Sequence, residues 1–243
     1  MAILVTPNQS AVFDALWAFL TGILPSGMPI LIGQANRVPE PAQTDYAVFW
    51  PLRMPRLSTN IDSYTDVVFT ASIVGAVLTV STIETGTIEV GAQLFGTGLA
   101  AGTTTIIAGL TGTGGIGTYT VSLSQAAASQ RMAAGGAAML QSAEAVIQLD
   151  VHGPNSADNA TKVSTLLRDD YGVAAFAALN SRVVPLYADD PRQMPFTNEN
   201  QQYEDRWIIE VHLQVNAVVS GIPQEFADLL DIEVFNVEAE FPA

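Results

Sequence analysis

Between residues 67 and 140 the chain almost loses its charge. Those 74 residues hold three charged side chains, Glu84, Glu89 and Arg131, while the other 169 hold the remaining thirty. The same stretch carries 13 of the 19 glycines and none of the 13 prolines, and it is rich in threonine. A composition break of this size marks a separate module set into a host domain. Within it the pattern is strand, turn, strand. Phe69–Ile73 and Val77–Val80 flank Gly75, and Ile88 with Val90, Leu94, Ile106 with Ile107, and Tyr119 with Val121 follow, each bounded by Gly or Thr. Short β-rich runs with glycine turns predict a small all-β barrel or sandwich over residues 67–136. Its last stretch, Ala126 to Gly136, is rich in small residues and reads as the return linker.

The host, residues 1–66 plus 137–243, alternates helix and strand signals. Ser10 is placed to cap a helix with Phe13, Leu16, Trp17 and Leu20 on one face and Gly22 as its stop. Pro29–Ile32 and Tyr46–Trp50 read as strands. Val146–Val151 alternates as a strand ending at His152-Gly153. Ser156 opens a helix with Ala160, Val163, Leu166 and Leu167 inward and Gly172 near its end, and residues 173–179 add a short helical piece. After a strand at Val183–Leu186, Trp207, Ile209, Val211, Leu213 and Val215 alternate with Glu210, His212, Gln214 and Asn216, which predicts a long half-buried antiparallel strand. A short helix around Phe226–Leu230 and a strand at Ile232–Val237 close the chain. The fold class expected is α+β: one mixed or antiparallel sheet with helices on one side, plus the inserted all-β module.

Composition excludes several functions. The chain of 243 residues is 49% hydrophobic, enough for a sizeable core, and has no cysteine, so no disulfide scaffold, zinc ribbon or thiol nucleophile is available. Nine basic residues, of which Lys162 is the one lysine, face 24 acids for a net charge of -15. Such a surface repels free nucleic acid and anionic membrane. The start, Met1-Ala-Ile, lacks a basic signal region, the first apolar stretch is broken by Asp14, and no run of about 18 apolar residues occurs. A soluble acidic protein made in the cytoplasm is expected.

Motifs for chemistry are few. Gly112-Thr-Gly-Gly-Ile-Gly117 matches G-x-G-x-x-G, but a dinucleotide site needs a helix directly after it, and Thr118-Tyr-Thr-Val-Ser122 is strand-like. The expectation is a β-turn. His152 and His212 lack ligand spacing. Asn159-Ala-Thr161 is a glycosylation sequon, idle without secretion. No catalytic, cofactor or metal residues are assigned, and the protein is not expected to be an enzyme.

The last third is acidic. Residues 189–243 carry twelve acids against Arg192 and Arg206. They form either a solvated surface or an electronegative wall that keeps a polyanion from sticking. Clustered carboxylates can also hold Ca²⁺ or Mg²⁺, but after Asp189-Asp190 no ligand series follows at regular offsets. The segment Pro185–Trp207 reads as a long loop mixing Tyr187, Phe196, Tyr203 and Trp207 with arginines and acids. Loops of this length are functional or disordered, and aromatic and Arg anchors favour a protein interface. Packing on its own domain is the other reading.

Three blocks carry a family resemblance. They are Gln34-Ala-Asn-Arg-Val-Pro-Glu-Pro41 with Asp45-Tyr-Ala-Val-Phe-Trp-Pro-Leu52, then Gln148-Leu-Asp-Val-His-Gly153 with its following helix, and Pro185-Leu-Tyr-Ala-Asp-Asp-Pro-Arg-Gln193 running into Asn198-Glu-Asn-Gln-Gln-Tyr-Glu-Asp-Arg-Trp207. The third is the most specific. Together they resemble the neck or tail-terminator proteins of long-tailed bacteriophages. Phe69-Thr-Ala-Ser-Ile73, Leu78-Thr-Val80 and Gly114–Val121 resemble a β-module repeated across phage structural proteins.

The resemblance implies a structural virion protein, a homo-oligomeric, hexameric ring at the tail neck. Such a ring ends the tail tube and joins it to the head connector, and DNA passes through its lumen without specific binding. The implied partners are the tail tube protein, a connector or stopper protein, and a sheath or collar. The candidate inter-subunit interface is Arg37, Tyr187, Asp189, Asp190, Arg192, Phe196, Tyr203, Arg206 and Trp207. An adjacent connector, stopper or tail-completion ring is the neighbouring alternative. A carbohydrate-binding tail component, suggested by the β-module, is the alternative from another class.

Overall fold

Two separate hydrophobic cores form, one in each of two compact units. The computed structural model describes residues 3–34, 45–100, 104–179, 182–197 and 203–223. One unit comprises Val5–Ile61 and Leu140–Val218, the other Met1–Leu4, Asp62–Met139 and Val219–Ala243. In chain order the elements are β1 (Leu4–Thr6), α1 (Gln9–Ile23), β2 (Ile30–Ile32), β3 (Tyr46–Arg53), β4 (Ile61–Thr85), β5 (Gln93–Phe95), β6 (Ile106–Gly109), β7 (Gly117–His152), α2 (Ser156–Leu167), α3 (Asp170–Leu179), β8 (Val183–Ala188), β9 (Arg192–Gln193), β10 (Phe196–Thr197), β11 (Tyr203–Glu204) and β12 (Arg206–Pro223). Among the described residues no helix is long and apolar enough to cross a membrane.

The unit that holds the helices is built on strands in the order β12-β7-β3-β2, with β8 and β9 also on β12. β2 and β3 run parallel, whereas β3 with β7 and β12 with β8 and β9 are antiparallel, so the sheet is mixed. Strand alternation sorts its two faces. Ala47 and Phe49, then Ala145, Ile147, Leu149 and Val151, then Ile209, Val211, Leu213 and Val215 all point into one core. The helices meet them there. Val12, Ala15, Leu16, Phe19 and Leu20 of α1 recur at the three-and-four spacing of one helix face. Ala160, Val163 and Leu167 of α2 and Phe176 of α3 complete the layer.

Local details differ from expectation. Asn8, not Ser10, caps α1, its side chain accepting from the Ala11 N–H at 2.9 Å. Gly22 lies inside the helix, which ends at Ile23 with Leu24 as its extended cap ahead of Pro25. Trp17 is 45% exposed rather than inward, and its indole N–H donates to the Ile30 carbonyl at 3.3 Å. Gly172 belongs to α3 rather than to the end of α2. The segment expected at Phe226–Leu230 and Ile232–Val237 lies outside the described residues.

In the other unit the described elements are strands. Val67, Phe69, Ala71 and Ile73 alternate inward, as do Leu78 and Val80. Gly75 has φ 66°, and the Ser81 hydroxyl donates to the Thr70 carbonyl at 3.1 Å, so β4 folds back on itself at that glycine. Two of the stretch's three charges, Glu84 and Arg131, pair with each other at 2.9 Å. The glycine-rich segment after β6 wraps a buried phenol: the Tyr119 hydroxyl donates to the Gly115 carbonyl at 2.6 Å and accepts the Gly114 N–H at 3.0 Å. Strand β7 follows, not a helix.

Two expectations need correction. Ala126 to Gly136 is not a linker but part of the 36-residue β7, where Ala133, Ala134 and Gly135 pair with β5. Small side chains there admit close strand packing, and Ala134 is fully buried. The balance of helix and strand is also not that of the expected α+β chain with flanking helices. The long β4 and β7 make it mostly strand, and the sheet is open rather than closed into a barrel.

Candidate functional site

Among the described residues, the segment read as a long loop is largely strand. β8 lies antiparallel to β12 with Tyr187 opposite His212, β9 continues along β12 with Arg192 opposite Ile208, and β10 pairs with β11. Strand pairing satisfies backbone groups that a free loop would leave to solvent. Of the candidate residues, Tyr187 therefore lies on the sheet face opposite the helices, and Asp189 and Arg192 lie along β12 beside it.

Alternation turns Glu210, His212 and Gln214 of β12 to that polar face. Cross-strand register then stacks two histidines on two tyrosines. Tyr187 covers His212 with ring centroids 4.1 Å apart and planes at 14°; Tyr46, opposite His152, stacks on it at 4.4 Å. Each imidazole meets a carboxylate through Nδ1: His212 with Glu144 at 2.6 Å, His152 with Glu204 at 3.0 Å. Both histidines are buried, at 3% and 5% exposure. Burial holds His152 down at about 4, with the Asp150 charge opposing and the Arg206 charge adding to the effect. Burial raises Glu204, against a hydrogen bond from Tyr46. Loss of hydration and then the nearby Glu144 carboxylate raise the Tyr187 phenol.

The candidate residues fall into separate groups. Asp189, just past β8, donates its N–H to the Glu210 carbonyl at 2.9 Å and sets Oδ1 3.8 Å from His212 Nε2. Asp189, Glu210 and His212 thus converge, their ligand atoms within 4.8 Å of one another. Arg192 reaches Glu210 at 3.3 Å. Asp190 pairs with Arg168, which also donates through Nε to the Ala188 carbonyl at 2.7 Å. Arg206 is committed to Asp150, and Trp207 packs against the core of its own unit. Tyr203 is 87% exposed. Phe196 enters through its backbone, paired across to Glu204, while its side chain and Arg37 lie outside the described residues.

Glu144, Asp150 and His152 escaped the sequence reading as members of this face. The alternation of β12 was enough to set Glu210 beside His212. Glu144 is 68 residues from His212, and no local spacing announces that pair.

A family model described as phage neck terminator protein matches residues 111–239. No curated protein matches the chain. The matched stretch takes in all of β7, α2, α3, β8, β11 and β12, and so both histidines of the polar face and their carboxylate partners, but not Tyr46 of β3.

Proposed function

The chain belongs to the phage neck terminator protein family, and from that premise we propose that it assembles into a six-fold homo-oligomeric ring that ends the tail tube and joins the tail to the head connector. Its role is structural, as a component of the phage tail neck. Tail tube protein binds one side of the ring and a connector or stopper protein the other, with sheath or collar outside. Genomic DNA passes through the lumen without specific binding. The family match carries this reading. The net charge of -15 supports it, because a carboxylate-rich channel does not trap phosphates.

Subunits meet along the border formed by β8, β9 and β11. Tyr203 and Arg192 reach outward there, while Arg206 and Trp207 brace the strand behind them. Exposed aromatic and Arg side chains are the groups that anchor interfaces. The unit around Asp62–Met139 serves as an inserted module on the outside of the ring, and its own core supports that reading. The family match begins at residue 111 and so reaches into it; β7 then belongs to module and host alike.

A native mass spectrum of the wild-type chain against a Tyr203→Ala, Arg192→Ala double variant tests the interface. Six-copy particles for the former and folded single chains for the latter are expected, the single chains melting cooperatively at a midpoint no higher than that of the assembled wild type. Six-copy particles from the double variant would remove this border as the subunit contact.

A further inference from the structure

We propose that His212, Asp189 and Glu210 form a binding site for a divalent transition-metal cation of the zinc class. The site lies within one unit, beside the border proposed for subunit contact, and its test reads metal uptake rather than ring formation. Its strongest mark is an atom without a partner. His212 is 3% exposed, and its Nε2 has no hydrogen-bond partner although it is aimed at two carboxylates. A carboxylate only accepts, so the 2.6 Å contact with Glu144 is donated by Nδ1–H. In the neutral ring that leaves the lone pair on Nε2, facing Asp189 Oδ1 at 3.8 Å.

This is the arrangement in which a carboxylate behind an imidazole fixes its tautomer and strengthens it as a ligand. Tyr187 stacks on the ring at 4.1 Å and its hydroxyl donates to the same Glu144 oxygen at 3.4 Å, so both the plane and the tilt of the imidazole are set.

The donor set chooses the ion. One imidazole and two carboxylates suit zinc-class cations, whereas calcium takes about six to eight oxygens. Tetrahedral ligands around zinc sit about 3.4 Å apart, from metal–ligand bonds of about 2.0–2.2 Å. The present spread of up to 4.8 Å closes by small side-chain rotations of Glu210 and of Asp189, whose side chain is 53% exposed and lies just past the end of β8. Arg192 touches Glu210 through one 3.3 Å contact and is itself 63% exposed, so it yields that oxygen easily. Solvent completes the fourth position. Bound there, the ion clips the end of β8 to β12.

The untagged full-length chain, stripped with chelator, should take up one zinc ion per chain by calorimetry, and zinc should raise its thermal midpoint. Asp189→Asn and Glu210→Gln should each weaken uptake about tenfold or more while leaving the metal-free midpoint nearly unchanged. Glu144→Gln should weaken it about 10-fold to 100-fold through the imidazole alone. Cobalt absorption should show the tetrahedral band in the wild type and lose it in Asp189→Asn. The absence of saturable zinc uptake, or uptake that Asp189→Asn and Glu210→Gln leave unchanged, would overturn the site.

Discussion

Asp150 receives Arg206 across the sheet, guanidinium Nε to carboxylate Oδ2 at 2.7 Å, on a side chain that is 2% exposed. Gln148 satisfies the other oxygen at 2.8 Å. A buried carboxylate with both oxygens occupied holds β7 to β12, but the pair's net worth is modest while the cost of breaking it is large. Arg206→Ala is expected to lower unfolding free energy by about 3–5 kcal/mol, because it strands the Asp150 charge. Asp150→Val combined with Arg206→Met should recover most of that loss. Urea titration measures both, and an Arg206→Ala loss below about 1 kcal/mol would place the pair in water.

Acid should weaken the protein through His152. Its folded pKa is lowered to about 4 from 6.5, so between those values the unfolded chain binds the extra proton. Stability is full above about pH 6.5 and declines as pH falls toward 4, by up to about 3 kcal/mol. The raised Glu204 works the other way, since acid relieves its burial, and trims the lower end of that window. His152→Gln should flatten the pH dependence of the thermal midpoint between pH 6.5 and 4. An unchanged slope would assign the acid sensitivity elsewhere.

Gly112 sits against the ring of Tyr119, where a Cβ would overlap a phenol that is 1% exposed and hydrogen-bonded at both ends of its hydroxyl. Gly112→Ala should cost about 1–3 kcal/mol by overpacking, whereas Gly115→Ala, with open space around it, should cost less. Equal midpoints for the two variants would contradict this role for the glycine-rich turn.

Much of the helical unit was legible because its signals are local. The alternation of β12 and the spacing of α2 rest on residues within a turn or two of one another. The errors came where long-range pairing overrode composition. Ala126 to Gly136 has a linker's small side chains, yet β5 stands beside part of it and makes it strand. Pro185 to Trp207 has a loop's polarity, yet β12 recruits it. The polar face was illegible for the same reason. Glu144 reaches His212, and Asp150 reaches Arg206, only after register brings distant strands together.

The module can be tested by removal. Where the chain enters and leaves it, Ser63 donates to the Ala138 carbonyl at 3.1 Å and Thr65 to the Gly136 carbonyl at 3.3 Å, so β4 and β7 are neighbours there. Replacing residues 71–132 with a short Gly/Ser bridge should leave a soluble chain whose helical core still unfolds cooperatively and which still forms rings. The second core loses most of its members in that variant, so the remaining stability is that of the helical unit. An insoluble or non-cooperative product would make residues 71–132 part of the host fold.

An electron-microscopic reconstruction of the neck in intact particles tests the ring most directly. The account predicts six copies of this chain closed around the DNA channel between tail tube and connector, with β8, β9 and β11 at the subunit contacts and the Asp62–Met139 unit outside. A neck without this chain, or with it as isolated copies on the particle surface, would contradict the account.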